Sequence, residues 1–314
     1  MTTSKNNAQW EEYLLGGLGA VCAGIFTNPL EVIKTRIQLQ GEMKARGQYT
    51  IHYRNVFHAF YAVAKAEGLV SLQKGLVPAL WYQFLMNGCR FGAYQVFDNH
   101  GFTRNKNGDV IFYKSIICGV TSGACGAYLG SPIYLVKTHL QSKSDAHIAV
   151  GHQHKHSSMS SGFKAIYGQY GVRGLWRGSV ASMTRVSVGG SIQLTSFATI
   201  TSFARKHKFI DPDRWYGTLF CSFLGSCLVV SMMTPFDVVS TRLYNQPVDS
   251  KTGRGMVYKG IFDCAVKIYQ TEQIFGFYKG FWASFLRLGP HTMLSIFFWQ
   301  LLRSKFYKIK NNTG

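Results

Sequence analysis

Long apolar segments and shorter polar segments alternate along the chain, and the alternation occurs three times. Each repeat has an apolar, glycine-rich stretch, a basic polar segment with amphipathic helical spacing, and a second apolar stretch. The apolar stretches cover residues 13–28, 76–97, 113–131, 179–203, 216–234 and 281–306. The first stretch of each repeat continues into a further helical phrase. With that extension, each of the six segments is about as long as the ~20 residues that a helix needs to cross a ~30 Å hydrocarbon core. The pattern predicts six transmembrane helices.

Three prolines mark the repeat, because Pro29, Pro132 and Pro235 are spaced by 103 residues. They open the phrases PLEVIKTR, PIYLVKTH and PFDVVSTR. A proline inside a helix removes one backbone hydrogen bond and tends to kink the helix. We therefore expect three kinked helices in three repeats, covering residues 1–104, 105–209 and 210–314.

The moderate hydropathy of these stretches also fits the buried helices of a large soluble bundle. Small residues four apart favour the membrane, because they let helix backbones approach closely in lipid. Such pairs are Gly16 and Ala20, Gly119 and Gly123, and Ser222 and Ser226. The moderate hydropathy then indicates that one face of each helix lines water.

The charge balance limits the classes of partner. The 314-residue chain carries 34 Lys+Arg against 14 Asp+Glu, a formal net charge of +20. This excess fits nucleic acid, an acidic membrane surface or an anionic substrate. Only 15% of residues are charged and 46% are hydrophobic, which disfavours a nucleic-acid partner. A basic structural or nucleic-acid-binding protein is a remote alternative. The sequence has no nucleophile–base pair at sensible spacing, so we expect no enzyme and no cofactor.

Cysteine and histidine positions give little sign of a metal site. None of the seven cysteines forms a Cys-x-x-Cys pair, which predicts free thiols. His147, His152, His154 and His156 lie in a Ser/Lys-rich segment that fits either a metal site or a solvated loop. No cysteine or carboxylate cluster follows, so the sequence favours the loop and predicts no metal. The polar N-terminal residues 1–10 resemble neither a secretory signal nor a transit peptide.

Polar residues three apart follow each proline. Residues at that spacing share one helix face, and charges at such depth require partners or water. An acid on one helix and a base on the next could tie the three helices into a ring. The pairs along the three phrases are Glu31 and Lys34, Tyr134 and Lys137, and Asp237 and Ser240.

The phrase Pro-x-[Asp/Glu]-x-x-[Lys/Arg]-x-[Lys/Arg], followed by [Asp/Glu]-Gly-x4-[aromatic]-[Lys/Arg]-Gly, resembles the signature of the mitochondrial carrier family over the whole chain. The resemblance implies an all-α membrane protein of six tilted transmembrane helices in three pseudo-threefold repeats with short matrix helices. It further implies the mitochondrial inner membrane, both termini toward the intermembrane space, a monomer, no nucleic acid, and a central cavity with alternating access.

Carried over to this chain, the family's matrix gate pairs Glu31 with Lys137 and Asp237 with Lys34. The third pair is Tyr134 with Ser240, where both charges are absent. We expect a neutral contact there, with a hydrogen bond as one form, and a gate closed by two salt bridges instead of three. Family resemblance adds three bracing positions below the ring, Gln38, Gln141 and Tyr244.

Each second apolar stretch starts at a Lys-Gly or Arg-Gly pair. Free backbone N–H groups and the helix dipole at a helix start favour negative charge. The family resemblance implies that cardiolipin is the lipid bound there. The glycines are Gly75, Gly178 and Gly280. The signature is imperfect before these glycines. Gln73 replaces the aromatic residue in repeat 1, Tyr170 replaces the acid in repeat 2, and Gln273 replaces the first glycine in repeat 3.

Seven residues beyond these glycines stand Tyr82, Arg185 and Arg287. Seven residues return to nearly the same helix face, so the repeat places all three at one depth. They match the family's substrate contact points. The second stretches offer these arginines no carboxylate except Asp98 at a far end, and a guanidinium fork suits a carboxylate. Arg90, two turns beyond Tyr82, projects into the same cavity.

Two arginines favour a substrate with two negative groups. Within the family, arginine at these contact points is typical of keto-acid and dicarboxylate carriers, and the third repeat resembles the oxaloacetate-carrier branch. We expect transport of small anionic metabolites such as oxaloacetate-like dicarboxylates, with sulfate as a further candidate. An uncoupling-type proton or anion leak on the same fold is the alternative, since a gate with two bridges could leak.

Overall fold

A computed structural model of the chain describes residues 2–44, 47–100, 102, 112–207, 215–249 and 252–313. These residues form nine α-helices and two short 3₁₀ turns. The helices are α1 (Thr2–Leu39), α2 (Val56–Glu67), α3 (Leu76–Asn99), α4 (Phe112–Ser142), α5 (Met159–Leu175), α6 (Ser179–His207), α7 (Trp215–Asn245), α8 (Ile261–Phe277) and α9 (Phe281–Thr313).

The six long helices close into a ring. Helix α1 packs against α3, and the contacts continue through α4, α6 and α7 to α9, which returns to α1. Pro29, Pro132 and Pro235 lie inside α1, α4 and α7, which we call the proline helices. They alternate around the ring with α3, α6 and α9, which we call the second helices. The all-helical fold and its threefold order are thus as the sequence predicts, while the proline kinks stay a prediction.

Within the described residues, three helices are long and apolar enough to cross a membrane, by length and composition. They cover Leu14–Leu39, Tyr113–Ser142 and Phe223–Asn245, the apolar parts of the proline helices. The second helices have 24, 29 and 33 residues, which is sufficient length, but their composition is more polar. Their membrane crossing stays a prediction, which their places in the ring support.

Glycines allow the closest backbone approaches between the long helices. A Cβ on Gly19 would come within 2.8 Å of the Trp299 backbone nitrogen, and one on Gly126 within 3.0 Å of the Met86 carbonyl oxygen. The predicted small-residue positions differ: Gly123 is close to Val186, but Gly119 has open space within 4 Å. Glycine therefore allows close helix contacts, as expected. Some of the closest contacts lie about one helical turn from the predicted positions, at Gly19 and Gly126.

Short helices α2, α5 and α8 pack beneath the C-terminal half of the proline helix of their own repeat. Val63 of α2 packs with Ile33, Ile166 of α5 with Val136, and Ile268 of α8 with Val239. Full burial of such an aliphatic side chain contributes about 1.5–3 kcal/mol. These three clusters fix the ends of the proline helices, where the gate residues lie.

The position of the first signature glycine has a positive φ in each repeat. Gly68, Gly171 and Gln273 have φ of 81°, 63° and 59°. Glycine reaches this region without a Cβ clash, whereas Gln273, with ψ of −162°, is in a region that is essentially restricted to glycine. The departure from the signature at Gln273 is therefore a site of backbone strain.

All seven cysteines are free thiols, as predicted. Cys118, Cys221 and Cys264 are buried, and Cys264 lies in the apolar cluster that also holds Val239 and Ile268. They serve as small core side chains, in keeping with the usual role of buried free cysteine.

Candidate functional site

Two ion pairs join the proline helices just beyond the prolines. Lys34 Nζ of α1 lies 2.6 Å from Asp237 Oδ2 of α7, and Lys137 of α4 contacts Glu31 of α1. These are the two pairs that the sequence predicts. Since both carboxylates are mostly shielded from solvent, at 9% and 20% side-chain exposure, the pairs hold α1 to both other proline helices.

The third interface, between α4 and α7, is aromatic. The Tyr134 ring lies 5.0 Å from the ring of Tyr82 and 5.0 Å from that of Tyr244. Ser240 is buried, and within the described part of the chain its hydroxyl has no hydrogen-bond partner. The interface carries no ion pair between these two positions, and the hydrogen bond considered for Tyr134 and Ser240 is absent, because Tyr134 packs on Tyr82 and Tyr244 instead. Ring packing, worth about 0.5–1.5 kcal/mol per pair, replaces an ion pair here.

The two predicted contact arginines, Arg185 and Arg287, have protein carboxylates beside them. Arg287 Nη1 of α9 lies 2.5 Å from Glu31 Oε1, and Arg185 Nη1 of α6 lies 3.6 Å from Asp237 Oδ1. Arg185 Nη2 also donates to the Tyr82 hydroxyl at 3.3 Å. The expectation that these arginines lack a protein counter-ion is wrong. The second helices themselves carry almost no carboxylates, but the ring brings the gate carboxylates of the proline helices to the depth of these arginines.

The ion pairs and the arginines surround one cavity of about 130 Å³. Its lining includes Glu31, Lys34, Thr35, Gln38, Tyr82, Gln83, Tyr134, Lys137, Gln141, Arg185, Thr241 and Arg287. Together with Asp237, this level of the described structure holds four cationic side chains and two carboxylates. The cavity therefore carries an excess of two positive charges, which matches an anion of charge −2.

Comparison with known proteins agrees with this geometry. The model of the family described as mitochondrial carrier protein matches residues 5–105, 108–208 and 211–310. The chain belongs to the mitochondrial carrier family. Solute carrier family 25 member 35 of Mus musculus is 50% identical over 94% of the chain and 98% of the relative. The mitochondrial oxaloacetate transport protein of Saccharomyces cerevisiae is 35% identical over 99% of the chain and 94% of the relative. The mitochondrial citrate transporter E of Aspergillus niger is 35% identical over 90% of the chain and 89% of the relative.

The bracing residues of this carrier form bonds below the gate. Thr241 Oγ1 donates to Gln38 Oε1 at 2.8 Å, and Gln141 Nε2 donates to Glu31 Oε2 at 3.5 Å. The Tyr244 hydroxyl shares a 2.8 Å hydrogen bond with Ser131 Oγ. Among the hydrogen bonds of the described residues, Gln141 contacts a gate carboxylate directly, while Gln38 and Tyr244 brace neighbouring side chains.

The glycines at the starts of the second helices have a structural role that the sequence did not reveal. All three have φ between 72° and 83°. A Cβ on any of them would come within 3.1 Å of a bracing side chain. The contacts are Gly75 with Gln141, Gly178 with Tyr244, and Gly280 with Gln38. Glycine is therefore required by backbone and space together, and the lipid-binding role stays a prediction.

His291 lies near the cavity and is not among the site residues predicted from the sequence. His291 Nε2 lies 3.1 Å from Gln83 Nε2, and its Nδ1 lies 3.0 Å from Thr27 Oγ1, so it links three helices. It follows Arg287 by four residues on α9, and that helical spacing was the signal available. Arg90 lies on α3, but its side chain is outside the described residues.

A second set of ion pairs lies toward the short helices. Arg36 Nη1 and Nη2 bind Glu67 at 2.7 and 3.0 Å, and Arg242 binds Glu272 in the same way at 2.5 and 2.9 Å. Both arginine side chains are fully buried. Burial alone raises the pKa of Glu67, but its cationic partners outweigh that effect and hold its pKa below the usual value. Breaking such a buried pair costs about 3–5 kcal/mol.

The histidine segment departs from the expected solvated loop. His147 and His152 are exposed. His154 and His156 are half-buried instead and stack with His139, with ring centroids 3.4 and 5.2 Å from that of His139. His139 was not considered with this segment because it lies at the end of the preceding apolar helix.

Proposed function

We propose that this carrier transports small di-anions of the oxaloacetate-like dicarboxylate class across the mitochondrial inner membrane by alternating access. The observation that carries the proposal is the excess of two positive charges in the cavity beside the gate. The names of relatives at 35% identity, which refer to oxaloacetate and citrate transport, support an anionic substrate. Sulfate, with two negative charges on one centre, is a further candidate.

Binding acts by competition for the arginines. Glu31 holds Arg287 and Asp237 faces Arg185, so substrate carboxylates exchange with these protein carboxylates. A guanidinium binds a carboxylate through two parallel hydrogen bonds. The exchange releases the second helices α9 and α6 from the proline helices α1 and α7. Substrate binding thereby offsets part of the cost of opening the gate, as a ligand shifts an equilibrium only by its differential affinity for the two states.

The aromatic interface gives the gate an uneven closure. Two interfaces open by separating ion pairs, Glu31 from Lys137 and Asp237 from Lys34. The third opens by separating Tyr134 from Tyr244, which leaves no buried charge unpaired. We infer that opening begins between α4 and α7, where the electrostatic cost is lowest.

Orientation, lipid and assembly follow from family membership as further proposals. Both termini face the intermembrane space, the protein functions as a monomer, and no nucleic acid is involved. Cardiolipin binds at the starts of the second helices, near Gly75, Gly178 and Gly280, where helix dipoles favour its phosphates.

Uptake of labelled oxaloacetate, malonate and sulfate into liposomes with the purified protein tests the proposal. Arg185→Ala and Arg287→Ala should each reduce the rate at least 100-fold, because each removes one fork of the di-anion site. Arg173→Ala is the matched control, since Arg173 is exposed on α5. If both cavity variants transport like the wild type, the site assignment is wrong. Proton flux without any transported anion would favour the leak function instead.

A further inference from the structure

Three histidines meet between the end of α4 and the end of α7. His139 is on α4, and His154 and His156 lie in the segment that follows it. One ring nitrogen from each lies within 4.8 Å of one from each of the others. His139 Nδ1 and His156 Nε2 are 3.0 Å apart. Three imidazole nitrogens at this separation need only small side-chain adjustment to bind one ion at the ~2.0–2.1 Å typical of zinc.

Backbone carbonyls fix the orientation of two rings. His139 Nε2 lies 2.8 Å from the Tyr244 carbonyl oxygen, and His154 Nε2 lies 3.1 Å from that of Asn245. A carbonyl only accepts, so each Nε2 carries the proton and each Nδ1 is unprotonated. The Nδ1 of His139 accepts a hydrogen bond from His156 Nε2, a contact that a cation between the rings would replace. Metal-binding histidines commonly donate the N–H of their other ring nitrogen to a carbonyl or carboxylate, which sets the tautomer and raises ligand basicity.

The threefold repeat shows what the cluster replaces. His139 occupies the position of Arg36 and Arg242 in the other two repeats. All three residues donate to a carbonyl at the end of the next proline helix, at Gln141, Tyr244 and Gln38. The two arginines also bind a glutamate of their own short helix, whereas the second repeat has Tyr170 at that position. His139 keeps the carbonyl bond and lacks both the positive charge and the carboxylate.

We propose that His139, His154 and His156 form a binding site for a divalent transition-metal cation of the zinc class. The cation takes the place of the missing arginine–glutamate pair and joins the end of α4 to the following segment. Through the carbonyl bonds to Tyr244 and Asn245, it also joins α4 to α7. Imidazole nitrogen suits zinc, copper and nickel, whereas magnesium and calcium prefer oxygen ligands.

The location gives the site a role in gating. The interface between α4 and α7 is the one where the gate has Tyr134 and Ser240 instead of an ion pair. A bound cation holds this interface together below the gate and opposes its opening. Metal binding stands on the cluster alone, whereas this effect on transport rests on the proposed function.

The binding test uses the purified protein, freed of metal with a chelator and dialysed. Zn²⁺ should raise the unfolding temperature by several degrees with one ion bound per chain, and Mg²⁺ at the same concentration should not. Co²⁺ should give the visible absorption of a tetrahedral nitrogen-ligated site. If Zn²⁺ produces no shift and Co²⁺ no spectrum, the site does not exist.

Variants assign the ligands. His154→Ala and His156→Ala should each lose the Zn²⁺ shift and the Co²⁺ spectrum, while His147→Ala, at an exposed position of the same segment, should keep both. His139→Arg with Tyr170→Glu should rebuild the ion pair of the other repeats. This double variant should fold without metal and show no Zn²⁺ response, which decides the question if the alanine variants fail to fold. Retention of the response in it overturns the assignment.

The gating effect has its own readout. Zn²⁺ added to the wild-type carrier in liposomes should slow di-anion exchange at least several-fold, and a chelator should restore the rate. The double variant should transport without any Zn²⁺ inhibition. Metal binding without inhibition refutes the gating role and leaves the site standing. Absence of di-anion transport in the wild type, with the Zn²⁺ shift intact, refutes the proposed function and not the site.

Discussion

Glu31 is the residue whose neutralisation should reveal most about the gate. Its carboxylate binds two cations on different helices, Lys137 on α4 and Arg287 on α9. Asp237 has one close partner, Lys34 at 2.6 Å, and a distant one, Arg185 at 3.6 Å. The change Glu31→Gln thus removes two short contacts, whereas Asp237→Asn removes one short and one long contact. Both glutamine and asparagine keep the size of the side chain.

The two changes should differ in magnitude. A hydrogen bond to a charged group contributes about 1.5–3 kcal/mol. Glu31→Gln should therefore destabilise the closed state by about 3–5 kcal/mol and Asp237→Asn by about 2–3 kcal/mol. At about 2 °C per kcal/mol for a chain of this size, the unfolding temperature falls by about 6–10 °C and about 4–6 °C.

Substrate should act in the opposite direction. In the wild type a di-anion has to displace Glu31 from Arg287, and in Glu31→Gln that guanidinium is already free. A saving of about 1.4 kcal/mol means about tenfold tighter binding. A fixed oxaloacetate concentration should therefore raise the unfolding temperature of Glu31→Gln by more than it raises that of the wild type, because a tighter ligand stabilises more.

The assay is thermal unfolding of purified protein in detergent, with and without di-anion. Asp263→Asn is the control, since Asp263 pairs with Lys267 on the surface of α8 at 2.9 Å. Solvent screens an exposed pair of this kind, so its loss should scarcely change the unfolding temperature. The reasoning is refuted if Glu31→Gln is no less stable than Asp263→Asn, or if its response to di-anion is smaller than that of the wild type.

Three further outcomes are expected. Gln273→Gly should raise the free energy of unfolding by about 1–2 kcal/mol, because glycine adopts the positive φ of this position without strain, and an unchanged denaturation midpoint would contradict this. Tyr134→Asp combined with Ser240→Lys should slow liposome transport several-fold by adding a third ion pair, and an unaltered rate would show that the ring geometry is wrong. The partners of Glu67 hold its pKa below the usual value, so its stabilisation is fully present above about pH 4.5 and is lost as pH falls through the folded-state pKa. Glu67→Gln should accordingly be less stable at pH 7 and less sensitive to acid in unfolding titrations, and equal acid sensitivity would be evidence against the bond.

The sequence alone determined the architecture and the positions of the gate. The 103-residue spacing of Pro29, Pro132 and Pro235 indicated three equal units. Because an α-helix has a regular period, the spacing of residues along it shows which side chains share a face. Equal units place equal positions at equal depth, which predicted a ring of acids and bases, and the resemblance to the mitochondrial carrier family implied the pairs of Glu31 with Lys137 and of Asp237 with Lys34. The absence of charge at Tyr134 and Ser240 could also be read directly from the phrases.

Only the tertiary structure decided which groups share partners. The arginines looked unpaired because spacing along one helix does not give the distance to a neighbouring helix, and Glu31 turned out to lie 2.5 Å from Arg287. His139 joins His154 across a turn of the chain for the same reason, since their contact depends on how α4 and the segment after it fold against α7. Periodicity fixes the depth and face of a side chain, whereas packing between helices decides which charge it meets.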